Sequence, residues 1–226
     1  MAELSERSPA VFDDAIEGLG MKHVYADLAS KGDIVTYKIQ GAIHQMHAIL
    51  ADVRLGKVIT GIEVKIPILS PKGKLLGHRV YDVVVQNGSQ VIRIEAKSWN
   101  PKYIVQNVRS SLRGGKVVSE AGEEIAEESG QMLLDMVEMF KNRSSNNFLI
   151  EWKFDKRMTD ADKEKLIKML KEEFDPAKEG ELAKKLFGYL DLNPNAVADK
   201  LAWKQFLGSL QSKIPNMVSR VDNQFN

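Results

Sequence analysis

The stretch "YDVVVQNGSQVIRIEAK", residues 81–97, constrains the fold of this chain more than any other segment. Two runs rich in Val and Ile flank Asn87-Gly88, a pattern that predicts a β-hairpin. With Asn87-Gly88 as a two-residue turn, Gln86 pairs with Ser89 and Asp82 stands opposite Arg93. Opposed residues share a face, so Asp82, Arg93, Glu95 and Lys97 are expected on one side. Tyr81, Val83, Ile92, Ile94 and Ala96 take the other. Asp82 and Glu95 become diagonal neighbours, with Cβ atoms on the order of 5 to 8 Å apart. Two carboxylates at that separation repel unless something positive lies between them. A hard divalent cation with oxygen ligands resolves the repulsion, and Lys97 would stand beside it. There the lysine could orient or deprotonate a water, or stabilise charge on a phosphate. The plainer reading of the same spacing is an exposed sheet face with Asp82–Arg93 as a cross-strand ion pair.

The flanking segments place this hairpin in a larger order. "GAIHQMHAILADVRLG" puts Ile43, Met46, Ile49, Leu50 and Val53 on one helical stripe, with His44, Gln45 and Asp52 on the other side and Gly56 as the stop. "KVITGIEVKIPIL" alternates as a first strand, "LLGHRVYDVVV" is a second and "QVIRIEAK" a third. "SEAGEEIAEES" is expected to open a helix carrying Ile125, Met132, Met136, Val137 and Phe140 as its stripe. "NNFLIEWKF" reads as a fourth strand, and Thr159 as the cap of the helix "DADKEKLIKMLKEEF". Two amphipathic segments follow, "ELAKKLFGYL" and "NAVADKLAWKQFLGSL", with Pro194 as a first-turn residue of the second. The order is αβββαβ with a helical tail.

At 226 residues the chain suits one sizeable α/β domain, or a domain with a small appendage, and an apolar fraction of 43% supports a core. No apolar run is long enough for a transmembrane helix. The absence of cysteine excludes disulfides, thiolate nucleophiles and cysteine-bound zinc. A net charge of +1 gives no global argument for nucleic acid, so any such argument is local. From Lys97 to Lys116 the chain carries Lys97, Lys102, Arg109, Arg113 and Lys116 and no acid. That makes the last four candidate phosphate contacts, with a solvated loop as the alternative. Zinc-finger, helix-turn-helix and RNP-like patterns are absent, so base readout is not indicated.

An Asp on the second strand followed by Glu-x-Lys on the third resembles the PD-(D/E)XK nuclease superfamily, the restriction-endonuclease-like fold. The match is Asp82 with Glu95-Ala96-Lys97, within the αβββαβ order that forms that family's common core; it covers roughly residues 38–155. The resemblance implies an α/β fold, a mixed central sheet flanked by helices; the C-terminal helical extension read from the amphipathic segments lies outside it. It implies a Mg²⁺-dependent endonuclease (Mn²⁺ as the alternative metal) that hydrolyses phosphodiester bonds. Asp82, Glu95 and the Ala96 carbonyl would be metal ligands, and Lys97 the catalytic lysine. Many members carry an acid on the first helix. Here that helix offers His44, Gln45, His47 and Asp52 but no Glu, so His44 is the stand-in by position and Glu63 a possible substitute ligand from the first strand. Gln131 falls where related members carry a Gln facing the site. Trp99 could stack on a base, although core packing is its plainer role.

The chain is also similar to C-terminal nuclease toxins of bacterial polymorphic and contact-dependent systems. The expected organisation is a lead-in over residues 1–37, a linker from a longer protein on this view, a nuclease core over 38–155, and a helical extension over 156–226 packed on it. The likeness implies secretion or delivery into a target cell, action in the cytoplasm, DNA ahead of RNA as substrate and a cognate immunity protein as partner; the lack of a long apolar run adds the expectation of no membrane. Two alternatives stay open: a tRNA-cleaving RNase on the same fold, and a non-catalytic binding module on a degenerate nuclease fold. The missing first-helix Glu favours the second.

Overall fold

Alternating apolar and polar residues build three long antiparallel strands in the computed structural model. It describes residues 6, 8–18, 34–97, 99–113, 115–118, 124–128, 130–155 and 157–221. Helices α1 (Pro9–Gly18) and α2 (Ile34–Arg54) precede strands β1 (Val58–Leu69), β2 (Leu75–Asn87) and β3 (Gln90–Lys97). A 3₁₀ turn (Pro101–Tyr103) leads into α3 (Ile104–Arg113). Short strands β4 (Gly115–Val118) and β5 (Glu124–Glu128) pair with each other as a separate antiparallel ribbon. Then come α4 (Gln131–Lys141), β6 (Phe148–Phe154), α5 (Asp160–Glu173), α6 (Glu181–Tyr189), α7 (Val197–Met217) and β7 (Val218–Arg220).

The hairpin forms, but its turn is Gly88-Ser89 rather than Asn87-Gly88. Asn87 pairs with Gln90 and Val83 with Ile94, one residue further along each strand than expected. Gly88 has φ 60, the left-handed value that the first position of a type II′ turn requires and that glycine adopts without steric cost. Arg93 therefore opposes Val84, and the expected Asp82–Arg93 pair does not form. Arg93 instead donates to Glu138 of α4 at 2.8 Å.

The main sheet runs β1-β2-β3-β6-β7, antiparallel up to β3 and parallel from β3 to β7. Successive side chains on β6 point to opposite faces. Trp152 Nε1 donates to Asp135 of α4, whereas Lys153 pairs with Asp52 of α2, so the two helices cover opposite faces. The result is a mixed α/β architecture, a five-stranded sheet flanked by helices. Among the described residues, no helix is long and apolar enough to cross a membrane.

Three elements depart from expectation. Glu124–Glu128 is strand β5, so Ile125 is not part of the helical stripe; α4 begins only at Gln131, after Gly130. Every residue from Met132 to Phe140 is buried, because the sheet covers one side of α4 and the tail covers the other. Phe140 meets Phe206 edge-on at 5.4 Å between ring centroids and Trp203 at 6.4 Å. Pro194 lies in a turn before α7, held by Asp199, which accepts the Asn193 backbone N–H at 2.7 Å. The tail also returns to the sheet, with Val218 beside Trp152. Thr159 caps α5 as expected, in a reciprocal capping box with Asp162.

Candidate active site

Helix α2 assigns its polar residues differently from the expected stripe. Ile43 is 46% exposed, whereas Asp52 is fully buried between Lys57 and Lys153, each 2.6 Å away. His44 is buried as well; its Nε2 lies 3.0 Å from the Lys153 carbonyl, and burial lowers its pKa, so a neutral ring donates there. The recorded partner of His44 is thus on β6, and the contact with Asp82 is made by the next residue. About 100° further round the helix, Gln45 donates from Nε2 to Asp82 Oδ1, and at 3.3 Å to Glu63 Oε1.

Strand β2 breaks its alternation at Asp82. Val83 is level with Ile94, hence on the face away from Arg93 and Glu95. Yet Tyr81, two residues earlier, has its ring 5.3 Å from the Arg93 guanidinium. Asp82 sits at this change of face, where the recorded β2–β3 pairing ends. On the neighbouring strand, Glu63 occupies the gap between the pairs Ile62–Val83 and Val64–Tyr81, with φ 51, a region uncommon for a non-glycine residue. Asp82 therefore does not share a plain sheet face with Glu95 and Lys97. It reaches through the opening between strands, and its Oδ2 accepts the Ala96 backbone N–H at 2.6 Å.

On the far side of that opening, Lys97 Nζ donates to Glu95 Oε1 and, at 3.1 Å, to Gln131 Oε1. Glu95 Oε2 lies 3.0 Å from Arg79 Nη2, and Arg79 is 2% exposed and locked to Asp135 by two hydrogen bonds of 2.8 and 3.3 Å. Asp82, Glu95 and Lys97 are all buried. Burial first, and then the charge of Glu95, push the Asp82 carboxyl up to about 7. The same two causes raise Glu63. Among the described residues, no three His, Asp or Glu side chains are arranged as a ready metal group.

The predicted basic stretch is mostly spoken for. Arg109 lies 3.5 Å from Glu173 and Arg113 3.2 Å from Glu181, acids contributed by the tail. Lys102 is exposed, with Nζ 5.5 Å from the centre of the Tyr103 ring. Lys116 lies on β4, where only the backbone is described. Trp99 is half-buried, packed 6.0 Å from Phe154 with Lys97 Nζ 5.3 Å over its ring.

Gln45 and Arg79 are the site residues that sequence reasoning missed. Gln45 lies on the helix expected to contribute a site residue, but a neutral amide there carries no sequence signal of its own. The only signal for Arg79 was an arginine inside an apolar strand three residues before Asp82. No family model, curated protein or solved structure matches the chain.

Proposed function

We propose that this chain is a metal-dependent nuclease that hydrolyses phosphodiester bonds, with DNA ahead of RNA as substrate, on a restriction-endonuclease-like core made of α2, β1, β2, β3, α4 and β6. One observation carries the reading: Gln45, Glu63, Asp82, Glu95, Lys97 and Gln131 converge from five elements on the opening between β2 and β3. Three of them, Asp82, Glu95 and Lys97, are buried and charged, a combination that is costly to assemble for stability alone.

The donor set fits a hard cation. Its carboxylates are oxygen donors, and burial together with mutual repulsion holds the Asp82 proton up to about 7, a penalty that a divalent ion would relieve. Asp82, Glu95 and the Ala96 carbonyl are the groups that would hold Mg²⁺ or Mn²⁺, with water completing the shell. When bound, such an ion supplies charge stabilisation at the phosphate and an acidified water. Gln45 fixes the Asp82 carboxylate, and Gln131 aims the Lys97 ammonium. From that position Lys97 donates to a phosphate oxygen as negative charge develops there. Arg79 sets the orientation of Glu95.

The test is incubation of the purified chain with supercoiled plasmid and with total tRNA, with and without Mg²⁺, beside Lys97→Ala. Metal-dependent nicking that the variant loses is expected. Absence of cleavage on both substrates, or equal cleavage by Lys97→Ala, refutes the reading. The likeness of "RVYDVVVQNGSQVIRIEAKSW" to bacterial toxin nucleases supports a delivered effector with a dedicated inhibitor. On that view, expression in a bacterial cytoplasm arrests growth and Lys97→Ala does not.

A second reading, a binding module without catalysis, is favoured by one feature: both Glu95 oxygens already face cations, Lys97 and Arg79. Calorimetric titration with Mn²⁺ separates the two, since a module of this kind binds no more metal than its Asp82→Ala variant.

A further inference from the structure

A cavity of about 390 Å³ lies between α6 and α7 in the helical tail. That volume is in the range of small-molecule sites, roughly 300 to 1,000 Å³. Its walls combine two aromatic rings with positive charge. Phe187 and Trp203 meet edge-to-face at 5.5 Å between centroids, with Phe187 half-buried and Trp203 only 2% exposed. Lys184 comes from α6, while Lys200 and Lys204 stand one turn apart on α7; all three are exposed, and Glu179 is the single acid in the lining.

Two further observations point to a ligand. The Trp203 indole N–H is buried with no acceptor among the described residues, a state that costs free energy and is rare in folded proteins. In addition, none of the three lysines is ion-paired among the described residues, in contrast to Arg109 and Arg113 on α3, whose charges the tail acids offset. The ligand that answers all of this is a planar ring with polar acceptors attached to an anion. We infer that the cavity between α6 and α7 binds a nucleotide unit, the base against Phe187 beside the part of Trp203 that lines the cavity, and the phosphate among Lys184, Lys200 and Lys204. The inference goes beyond the proposed cleavage and does not depend on it.

Either a free nucleotide or one unit of a single strand has this chemistry, and the experiment separates them. Adenosine 5′-monophosphate and a fluorescently labelled oligothymidylate are titrated against the full chain by calorimetry and anisotropy, without divalent metal. Lys200→Glu combined with Lys204→Glu, both exposed, is expected to weaken binding on the order of tenfold or more. Trp203→Phe keeps a ring but loses the N–H and is expected to weaken it about fivefold, with circular dichroism checking the fold. Binding of the monophosphate alone identifies a free nucleotide; competition between the two ligands identifies a strand-binding site. The inference fails if neither ligand binds at millimolar concentration, or if the double Lys variant binds like the parent. It fails equally if inorganic polyphosphate competes as well as the oligonucleotide, because charge without a base then suffices.

Discussion

Lys97 of β3 donates from Nζ to Oε1 of Gln131, the first residue of α4, at 3.1 Å, while also donating to Glu95 Oε1. Two acceptors on different elements fix the direction of a long flexible side chain. If Lys97 acts on the phosphate, Lys97→Ala lowers the plasmid-nicking rate on the order of 10² to 10⁴-fold. Gln131→Ala leaves the ammonium in place with one anchor fewer, and a smaller loss of about tenfold is expected. Single-turnover rates on supercoiled plasmid measure both, and a Gln131→Ala protein as fast as the parent removes that residue from the mechanism.

Asp82 gives the metal-free protein an unusual dependence on pH. Its carboxyl is held up to about 7 in the folded state against 3.8 in a model peptide, so between those values the folded chain binds more protons than the unfolded one. Stability therefore falls as pH rises through that window, and the raised Glu63 acts in the same direction. His44 acts oppositely: its lowered pKa costs stability as pH falls below 6.5. Asp82→Asn deletes the first effect and leaves the second, so its urea midpoint should drop more than the parent's between about pH 7 and pH 5. Identical profiles for the two proteins would exclude a raised Asp82. At about pH 7.5, Mg²⁺ should raise the parent's melting temperature but not that of the variant.

Asp135 is fully buried and accepts from both Arg79 and Trp152. Asp135→Ala leaves the buried Arg79 guanidinium with Glu95 as its one carboxylate partner and strands the Trp152 indole N–H, with an expected cost of about 3 kcal/mol. Asp135→Asn keeps an acceptor and should cost less. Urea unfolding gives both values, and an Asp135→Ala loss under about 1 kcal/mol would mean that water replaces the carboxylate.

Two glycines of the tail predict opposite outcomes. A Cβ on Gly180, between α5 and α6, would stand 2.8 Å from Glu173 Cα and 2.9 Å from its carbonyl oxygen, so Gly180→Ala should destabilise by about 1–3 kcal/mol. Within α6, a Cβ on Gly188 would meet nothing within 4 Å, so Gly188→Ala should stabilise by roughly 0.5–1 kcal/mol. Thermal melts of the two variants should bracket the parent.

Strand identity was legible because period-two alternation and an Asn-Gly-Ser turn signal are local properties. Gln90–Lys97 forms with the bounds its apolar pattern suggests. The turn position was not, because Asn-Gly and Gly-Ser both satisfy hairpin rules, and the choice shifts which residues oppose each other. The change of face at Asp82 depends on the twist of two neighbouring strands and on Glu63 with φ 51, neither of which leaves a mark in composition. Asp52 reads from the sequence as lying opposite the apolar stripe of α2, yet it is buried because Lys57 and Lys153 arrive from elsewhere to neutralise it. The acid-free stretch from Lys97 to Lys116 likewise looked free only in one dimension, since Glu173 and Glu181 lie some sixty residues on.

Strand β7 runs only from Val218 to Arg220, yet it is the strand that pairs on the outer edge of β6, along Trp152 to Phe154, and all seven residues of β6 are buried. During synthesis, β6 is complete long before β7 emerges, and for that interval its edge is an unpaired apolar template. A second nascent chain could supply the missing strand as readily as the chain's own end. The stretch of helices from Asp160 to Met217 therefore also sets a waiting time, in which the half-built sheet is open to the wrong partner.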